Sequence, residues 1–165
     1  AKTLKAAGNK IISILGARSK NLLMLEDEMG NISAETFITT DDGSAGQKGL
    51  VTGALKTIMG SQNVDYVFAV GPVPMMQAVA DTTRAAKIKT VVSLNPIFVD
   101  ATGMCGVCRV TIGGKIKFGC FDGPEFDAHE IDFAELTQRN RTYLTQEKEA
   151  YKKYLHACGK DQPCG

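Results

Sequence analysis

Short apolar runs separated by turn residues dominate the first 97 residues of the chain. Continuous apolar runs of four to six residues are typical of strands that are buried on both faces of a parallel sheet. The segments between these runs have the length and composition of crossover helices. The pattern therefore predicts a doubly wound, mostly parallel α/β sheet. The predicted strands are residues 10–15, 36–39, 65–70 and 90–94, and the predicted helices are residues 1–7, 22–29, 49–59 and 75–86.

Turns with ligand-like residues follow three of these strands. Ligands of open α/β sheets bind outside the carboxyl ends of the strands, so these turns predict a nucleotide site for NAD(H) or NADP(H). An acidic residue after a strand accepts hydrogen bonds from an adenosine ribose and repels a 2′-phosphate, so Asp41 or Asp42 favours NAD(H). Ordinary turn chemistry explains the same residues without a ligand. The predicted cofactor-binding residues are Gly16, Arg18, Ser19, Asp41, Asp42, Gly71 and Pro72.

A cysteine motif after residue 97 carries the most specific chemistry. Asp100, Cys105, Cys108 and Cys120 follow the spacing D-x4-C-x2-C-x11-C. Plant-type two-iron ferredoxins hold their cluster with C-x4-C-x2-C and a distant fourth cysteine. Only the first ligand differs here, and its replacement is a carboxylate that can bind iron. The motif predicts a [2Fe-2S] cluster, with a hairpin around Gly113-Gly114 returning the fourth ligand to the others.

Two other interpretations of the cysteines stay open. C-x2-C also fits zinc, although His129 follows Cys120 without a nearby partner ligand. The cysteines also fit a redox-active or merely buried role. Asp100 has its own alternative, since an aspartate at this position can cap the loop instead of binding iron.

Composition narrows the function classes. The net charge of +1 gives no sign of nucleic-acid binding, and no apolar run approaches the roughly 20 residues of a membrane span. No signal peptide is recognisable. Clustered cysteines fit metal binding in a reducing cytoplasm better than a disulfide framework. Residues 133–155 predict a charged helix, whose Arg139 and Arg141 are candidate partner contacts, and Cys158 and Cys164 lie in a polar tail.

Seven segments together resemble a known family, namely residues 16–19, 40–44, 48–52, 70–75, 93–96, 100–110 and 120–126. The chain resembles iron–sulfur flavoprotein subunits of the ferredoxin–NADP reductase superfamily, over roughly residues 1–145. Within that superfamily, the chain most resembles small subunits of NADH-dependent reduced ferredoxin:NADP oxidoreductase, also called sulfide dehydrogenase. The feature that indicates this group is the aspartate at position 100. Electron-transfer subunits of dihydroorotate dehydrogenase are related and have a cysteine there.

The resemblance implies an oxidoreductase subunit that relays electrons. NADH reduces an FAD, and electrons pass through the cluster to a larger flavoprotein or iron–sulfur subunit, with ferredoxin as a further candidate partner. Gly71 and Pro72 would line the nicotinamide side, and Arg18 with Asp41 or Asp42 the adenosine side. The implied domains are a partial nucleotide-binding domain (1–97), a cluster module (98–132) and a C-terminal helix and tail (133–165).

The chain also departs from the family pattern. It lacks a G-x-G-x-x-G phosphate loop. It begins inside what resembles the first helix, so the first strand and the family's FAD-binding barrel are expected to lie outside this sequence, leaving an apolar sheet edge exposed. FAD is thus implied only for a longer relative. Dihydroorotate oxidation in pyrimidine synthesis and a non-catalytic cluster-binding or structural module remain alternative functions.

Overall fold

The computed structural model describes residues 1–158, without the side chains of the last two, and divides the chain into two compact units. One unit contains Ala1–Val67 and Ala78–Lys89, and the other contains Phe68–Gln77 and the chain from Thr90 onwards. The helices are α1 (Lys2–Ala6), α2 (Glu26–Ile32), α3 (Val51–Ser61), α4 (Val73–Arg84), α5 (Phe133–Asn140) and α6 (Leu144–Cys158). The strands are β1 (Ile12–Ala17), β2 (Glu35–Thr40), β3 (Gln47–Lys48), β4 (Tyr66–Val70), β5 (Lys89–Ser93), β6 (Arg109–Ile112), β7 (Lys115–Phe118) and β8 (Glu125–Asp127).

The first unit is built on a parallel sheet of order β1-β2-β3. Ile12 of β1 is level with Glu35 of β2, and Thr39 of β2 is level with Gln47 of β3. Helix α3 buries Leu55 and Ile58 in this unit, because apolar side chains three residues apart share one helix face. The parallel pairing places the turns that follow β1 and β2 at the same end of the sheet.

The second unit contains Phe68–Val70 of β4, Thr90–Ser93 of β5 and all of β8, which are strands of a sheet of order β4-β5-β8, and a separate hairpin of β6 and β7. Strand β8 runs antiparallel to β5. The hairpin turns at Gly113 and Gly114, whose φ angles of +55° and +75° suit a tight turn that side chains with a Cβ disfavour. The core of the second unit includes Val92, Val110, Phe126 and Leu136, none of which is more than 8% exposed. This core supports the loops on either side of the hairpin.

Strand β4 carries apolar side chains that the described part of the chain leaves exposed. Tyr66, Phe68 and Val70 alternate along the strand and are 42%, 48% and 63% exposed. Residues two apart in a strand point to the same face, so the three side chains form one apolar strip. Among the described strands, β4 pairs only with β5, which leaves its other edge free.

The α/β class predicted from the sequence, with parallel strands and a cluster-loop hairpin, is confirmed. The single helix predicted over residues 133–155 is instead two helices, α5 and α6. Thr142 Oγ1 donates to the Arg139 carbonyl at 2.6 Å, a local bond that competes with helical pairing at the break. The helix predicted over 22–29 was also wrong at its start, because Leu25, with φ of +59°, separates a 3₁₀ turn from α2.

No helix of the described residues is long and apolar enough to span a bilayer.

Candidate functional site

The β6–β7 hairpin brings two of the predicted cluster ligands together. Cys108 directly precedes β6, and Gly119 alone separates Cys120 from the end of β7. The pairing of Arg109 with Phe118 places these two ends of the hairpin side by side. The Gly119 N–H donates to the Cys108 carbonyl at 3.0 Å. As a result, the Sγ atoms of Cys108 and Cys120 lie 3.3 Å apart.

The other two predicted ligands lie on the loop before the hairpin. Asp100 accepts hydrogen bonds from the N–H groups of Thr102 (3.0 Å) and Cys105 (3.1 Å). The Thr102 bond first, and then the interaction with Cys105, lower the pKa of the Asp100 carboxyl. The loop turns at Ala101 and Gly103, whose φ angles are +58° and +85°. In this arrangement Asp100 caps its own loop, as the alternative interpretation describes, and its carboxylate stands against the backbone of Cys105.

The three cysteines differ in environment. Cys105 is exposed, Cys120 is half-buried and Cys108 is only 2% exposed. The hydrogen bond with Cys108, followed by burial and by the charge of that neighbouring thiol, raises the pKa of Cys120. The backbone N–H of Gly103 acts on this pKa in the opposite direction. A Cβ added at Gly103 would stand 3.5 Å from Cβ of Phe121, so the loop lies beside the residue that follows Cys120. Backbone N–H groups beside sulfur are also the groups that tune cluster potentials.

Three thiols and a carboxylate are a donor set that fits iron. Each iron of a two-iron cluster takes two protein ligands. In the structure the sulfurs of Cys108 and Cys120 are neighbours, and the Asp100 carboxylate accepts from the backbone N–H of Cys105. Within the described residues, no three His, Cys, Asp or Glu side chains meet as they would around a single metal ion. A structural zinc ion needs four such ligands around one point, and the zinc alternative stays open. The four-residue ligand set stays a prediction.

The turns after β1 and β2 meet in the first unit. The Asp42 N–H donates to the Arg18 carbonyl at 3.2 Å, and the Lys20 N–H donates to Ser44 Oγ at 2.7 Å. Ser44 in turn donates to Asp42 through its hydroxyl (2.6 Å) and its N–H (2.9 Å). These bonds, the hydroxyl first, lower the pKa of the Asp42 carboxyl, so it is ionised at neutral pH. The turns border a cavity of about 490 Å³, lined by Ser19, Lys20, Asn21, Glu26, Asp42 and Ser44.

The structure thus places Ser19 and Asp42 of the predicted nucleotide set in one cavity, with Arg18 and Asp41 on the adjoining backbone. Gly71 and Pro72 follow β4 in the other unit. The sequence reasoning missed Lys20, Asn21, Glu26 and Ser44. Ser44 had a signal, since it completes the Asp-Asp-Gly-Ser turn, whereas nothing in the local pattern singles out the other three.

Gly16 has a packing role that the sequence did not indicate. A Cβ at this position would overlap Cγ1 of Val51 and stand 3.3 Å from Oγ1 of the buried Thr39. Helix α3 therefore approaches β1 closely at this point. At Gly71 an added Cβ would meet only the flexible end of Met75.

His129, Cys158 and Cys164 were also considered from the sequence. The backbone N–H of His129 donates to Asp127 Oδ1 at 2.9 Å, within a turn. Cys158 ends α6, and Cys164 lies outside the described residues.

Comparison with known proteins adds to this geometry. Residues 95–132 match the family model of the iron–sulfur cluster binding domain of dihydroorotate dehydrogenase B. The resemblance to iron–sulfur electron-transfer subunits is confirmed. A dihydroorotate dehydrogenase B (NAD(+)) electron transfer subunit homolog of Thermotoga maritima is 48% identical over 162 residues, covering 98% of this chain and 57% of the relative. A probable electron transfer subunit of Methanopyrus kandleri is 33% identical over 81% of this chain and 50% of its own length.

A solved structure supports the same relationship. The structure of an NADH-dependent reduced ferredoxin-NADP oxidoreductase, described for flavin-based electron bifurcation, matches 93% of this chain with a TM-score of 0.83 and 48% identity. The match covers 55% of that chain. The chain therefore spans only a little over half of these relatives. The comparisons show an iron–sulfur binding segment at residues 95–132, and a likeness of nearly the whole chain to part of an electron transfer subunit homolog and part of an oxidoreductase.

Proposed function

We propose that the chain is part of an electron-transfer subunit. It would pass electrons between NAD(H), FAD and a [2Fe-2S] cluster to a larger flavoprotein or iron–sulfur subunit, as in transhydrogenation between reduced ferredoxin and NADP. The observation that carries this proposal is the contact of Cys108 with Cys120, 3.3 Å apart, inside the segment that matches an iron–sulfur domain.

The chain's own residues would hold the cluster in two pairs. Cys108 and Cys120 would bind one iron, because their sulfurs are already neighbours. Asp100 and Cys105 would bind the other, and the N–H of Cys105 that now bonds Asp100 keeps that carboxylate near its partner ligand. The cluster, when bound, supplies a site that accepts and returns one electron. The Gly103 N–H would stabilise negative charge on the Cys120 sulfur.

The cavity beside β1 and β2 would hold the adenosine half of the nucleotide. Asp42 is ionised at neutral pH and would accept the ribose hydroxyls while repelling a 2′-phosphate, which favours NAD(H) over NADP(H). Gly71 and Pro72 would line the nicotinamide side. We assign no residue of this chain to FAD. We propose a cytoplasmic location, because the thiol ligands must stay reduced.

Large apolar side chains near the predicted ligands support a partner subunit. Phe98 and Val99 precede Asp100 and are 45% and 70% exposed. Met104 and Phe121, each adjacent in sequence to a predicted cysteine ligand, are 88% and 78% exposed. Apolar surface of this kind is typical of a face that another protein covers.

The deciding experiment is anaerobic purification with iron, acid-labile sulfide and zinc measured per chain. Two irons, two sulfides and a rhombic EPR signal after reduction are expected. Asp100→Cys should retain the cluster with an altered signal, and Asp81→Ala on the surface of α4 is the control that should leave it unchanged. Stoichiometric zinc, or no metal after reconstitution, would favour the structural-module alternative.

A second candidate is electron transfer from dihydroorotate. It is favoured by the names of the relatives, several of which are dihydroorotate dehydrogenase electron transfer subunits. The two candidate functions can be distinguished in material purified together with its partner from the native organism. Reduction of the cluster by dihydroorotate would support pyrimidine synthesis, and reduction by NADPH with ferredoxin as acceptor would support transhydrogenation.

A further inference from the structure

A cavity beside the cluster loop contains two arginines and no acidic residue. Its volume is about 260 Å³, and Pro96 and Ile97 form its apolar side. Apolar atoms thus cover one side, while cationic and hydroxyl groups face the other. The polar side consists of Arg109, Arg139, Asn140, Thr142 and Tyr143.

Within residues 1–156, neither arginine has an anionic partner. Arg139, half-buried, donates to the Val107 carbonyl at 2.9 Å, and Arg109 donates weakly to the Gly106 carbonyl at 3.4 Å. The ion pairs found among residues 1–156 involve neither of them. A guanidinium has five N–H donors, so most donors of both groups remain for a ligand. Two like charges lining one cavity also repel each other, and a bound anion would remove that repulsion.

The neighbouring amide adds one hydrogen-bond acceptor to the wall of the cavity. Asn140 donates to the Asn95 carbonyl at 3.3 Å, which fixes the orientation of its side chain. Its Oδ1 is buried and has no hydrogen-bond partner within the described part of the chain. Buried polar groups in folded proteins are normally paired. An amide oxygen accepts, so its missing partner is a donor such as the hydroxyl of a singly protonated phosphate, and this atom gives no support for a carboxylate.

We propose that this cavity is an oxyanion site, where Arg109 and Arg139 bind a carboxylate or a phosphate. Planar guanidinium groups match both kinds of oxyanion, and the bond to Val107 holds Arg139 in place before the ligand arrives. The anion has two possible sources, a side-chain carboxylate of a partner subunit or a free phosphate. The site goes beyond the proposed function, and its existence can be tested without a cluster.

The test is isothermal titration of the full chain at low ionic strength in a buffer without phosphate or carboxylate. One arm uses inorganic phosphate, and the other uses N-acetylglutamate amide as a stand-in for a partner's carboxylate. Saturable binding with one site per chain is expected in at least one arm. Binding of phosphate alone identifies a free anion as the occupant, and binding of the glutamate derivative identifies a partner side chain.

Variants connect the binding to the cavity. Arg109→Gln should weaken binding about tenfold or more, because a charge-assisted hydrogen bond is lost. This change leaves the bond from Arg139 to Val107 intact, so the fold should not change. Arg139→Lys keeps the charge but removes the planar fork and should also weaken binding. Arg141→Gln, which ends α5 outside the cavity lining, is the matched control and should bind as the parent does. Absence of saturable binding in both arms, or equal binding by the Arg109 and Arg141 variants, would overturn the proposal.

Discussion

Replacing Gly16 by alanine tests the close approach of helix α3 to strand β1. The added methyl group would overlap Cγ1 of Val51, a β-branched side chain with few alternative rotamers. On its other side stands Thr39, which is only 2% exposed and cannot easily move. One of these groups, or the backbone, must therefore shift.

Two opposing effects set the size of the change. Adding a methyl group to a packed site costs about 1–3 kcal/mol. Replacing glycine within a strand recovers about 0.5–1 kcal/mol, because the unfolded chain loses conformational freedom. The net expectation for Gly16→Ala is a loss of about 1–2 kcal/mol in the free energy of unfolding. With a urea slope of about 2 kcal/mol/M, the unfolding midpoint should fall by about 0.5–1 M.

Urea unfolding followed by far-UV circular dichroism measures this change. Gly30→Ala is the matched control, because an added Cβ there meets nothing within 4 Å, and a glycine inside helix α2 should be improved by about 0.5–1 kcal/mol. Val51→Ala removes the methyl group that Gly16→Ala would strike, so the double variant should recover about 1 kcal/mol or more of coupling energy. An unchanged midpoint for Gly16→Ala, or the lack of any recovery in the double variant, would refute the packing argument. If stability were unchanged but NADH binding were lost, Gly16 would instead serve the nucleotide.

Three further predictions follow from individual contacts. In the metal-free chain, diamide should take two electrons and two protons from Cys108 and Cys120 and leave a disulfide between them, because their sulfurs are 3.3 Å apart; thiol titration and peptide mapping would detect it. Ser44→Ala should raise the pKa of Asp42 toward its ordinary value, which carboxyl NMR titration would show. Since Asp42 has a lowered pKa, its contribution to stability is complete above the ordinary pKa and is lost as the pH falls through the lowered one. Asp132→Ala should cost about 1 kcal/mol in thermal or urea unfolding, because Asp132 caps α5 by accepting from a helix N–H at 2.9 Å.

Each of these predictions has an outcome that contradicts it. A diamide-treated chain with both thiols still free would mean that the two sulfurs do not meet in solution. An Asp42 titration identical in the parent and in Ser44→Ala would remove the hydroxyl as the cause of the shift. Asn is also a good helix cap, so Asp132→Asn should be nearly neutral, and an equal loss in both Asp132 variants would rule out capping as the reason.

Much of the fold could be predicted because its strands are short apolar runs with clear ends. The apolar run that forms β4 indicates a strand, and the paired glycines at 113 and 114 indicate a hairpin turn. Strands β3 and β8 were missed, since two and three residues carry no periodicity and form only by pairing with β2 and β5. The break between α5 and α6 was missed because local bonds at the break, among them the one from Thr142 to the Arg139 carbonyl, leave no signal in the periodicity.

The candidate site was predictable in its chemistry and less so in its geometry. The spacing of the cysteines is visible in the sequence, whereas the contact between Cys108 and Cys120 forms only when β6 pairs with β7. Whether Asp100 faces a metal or its own loop depends on hydrogen bonds that no spacing reveals. The same holds for Gly16, because its neighbour Val51 is distant in sequence and the contact exists only after folding.

The uncovered strip on β4 has a practical consequence for anyone who handles this chain. A free strand edge beside Tyr66, Phe68 and Val70 is a template onto which another strand can add. Growth on such a template begins with an encounter between two molecules, so its rate should rise with the square of the protein concentration. Dilute, cold storage should therefore preserve the chain far longer than a concentrated stock, and a charged residue in place of Phe68 should extend the life of that stock.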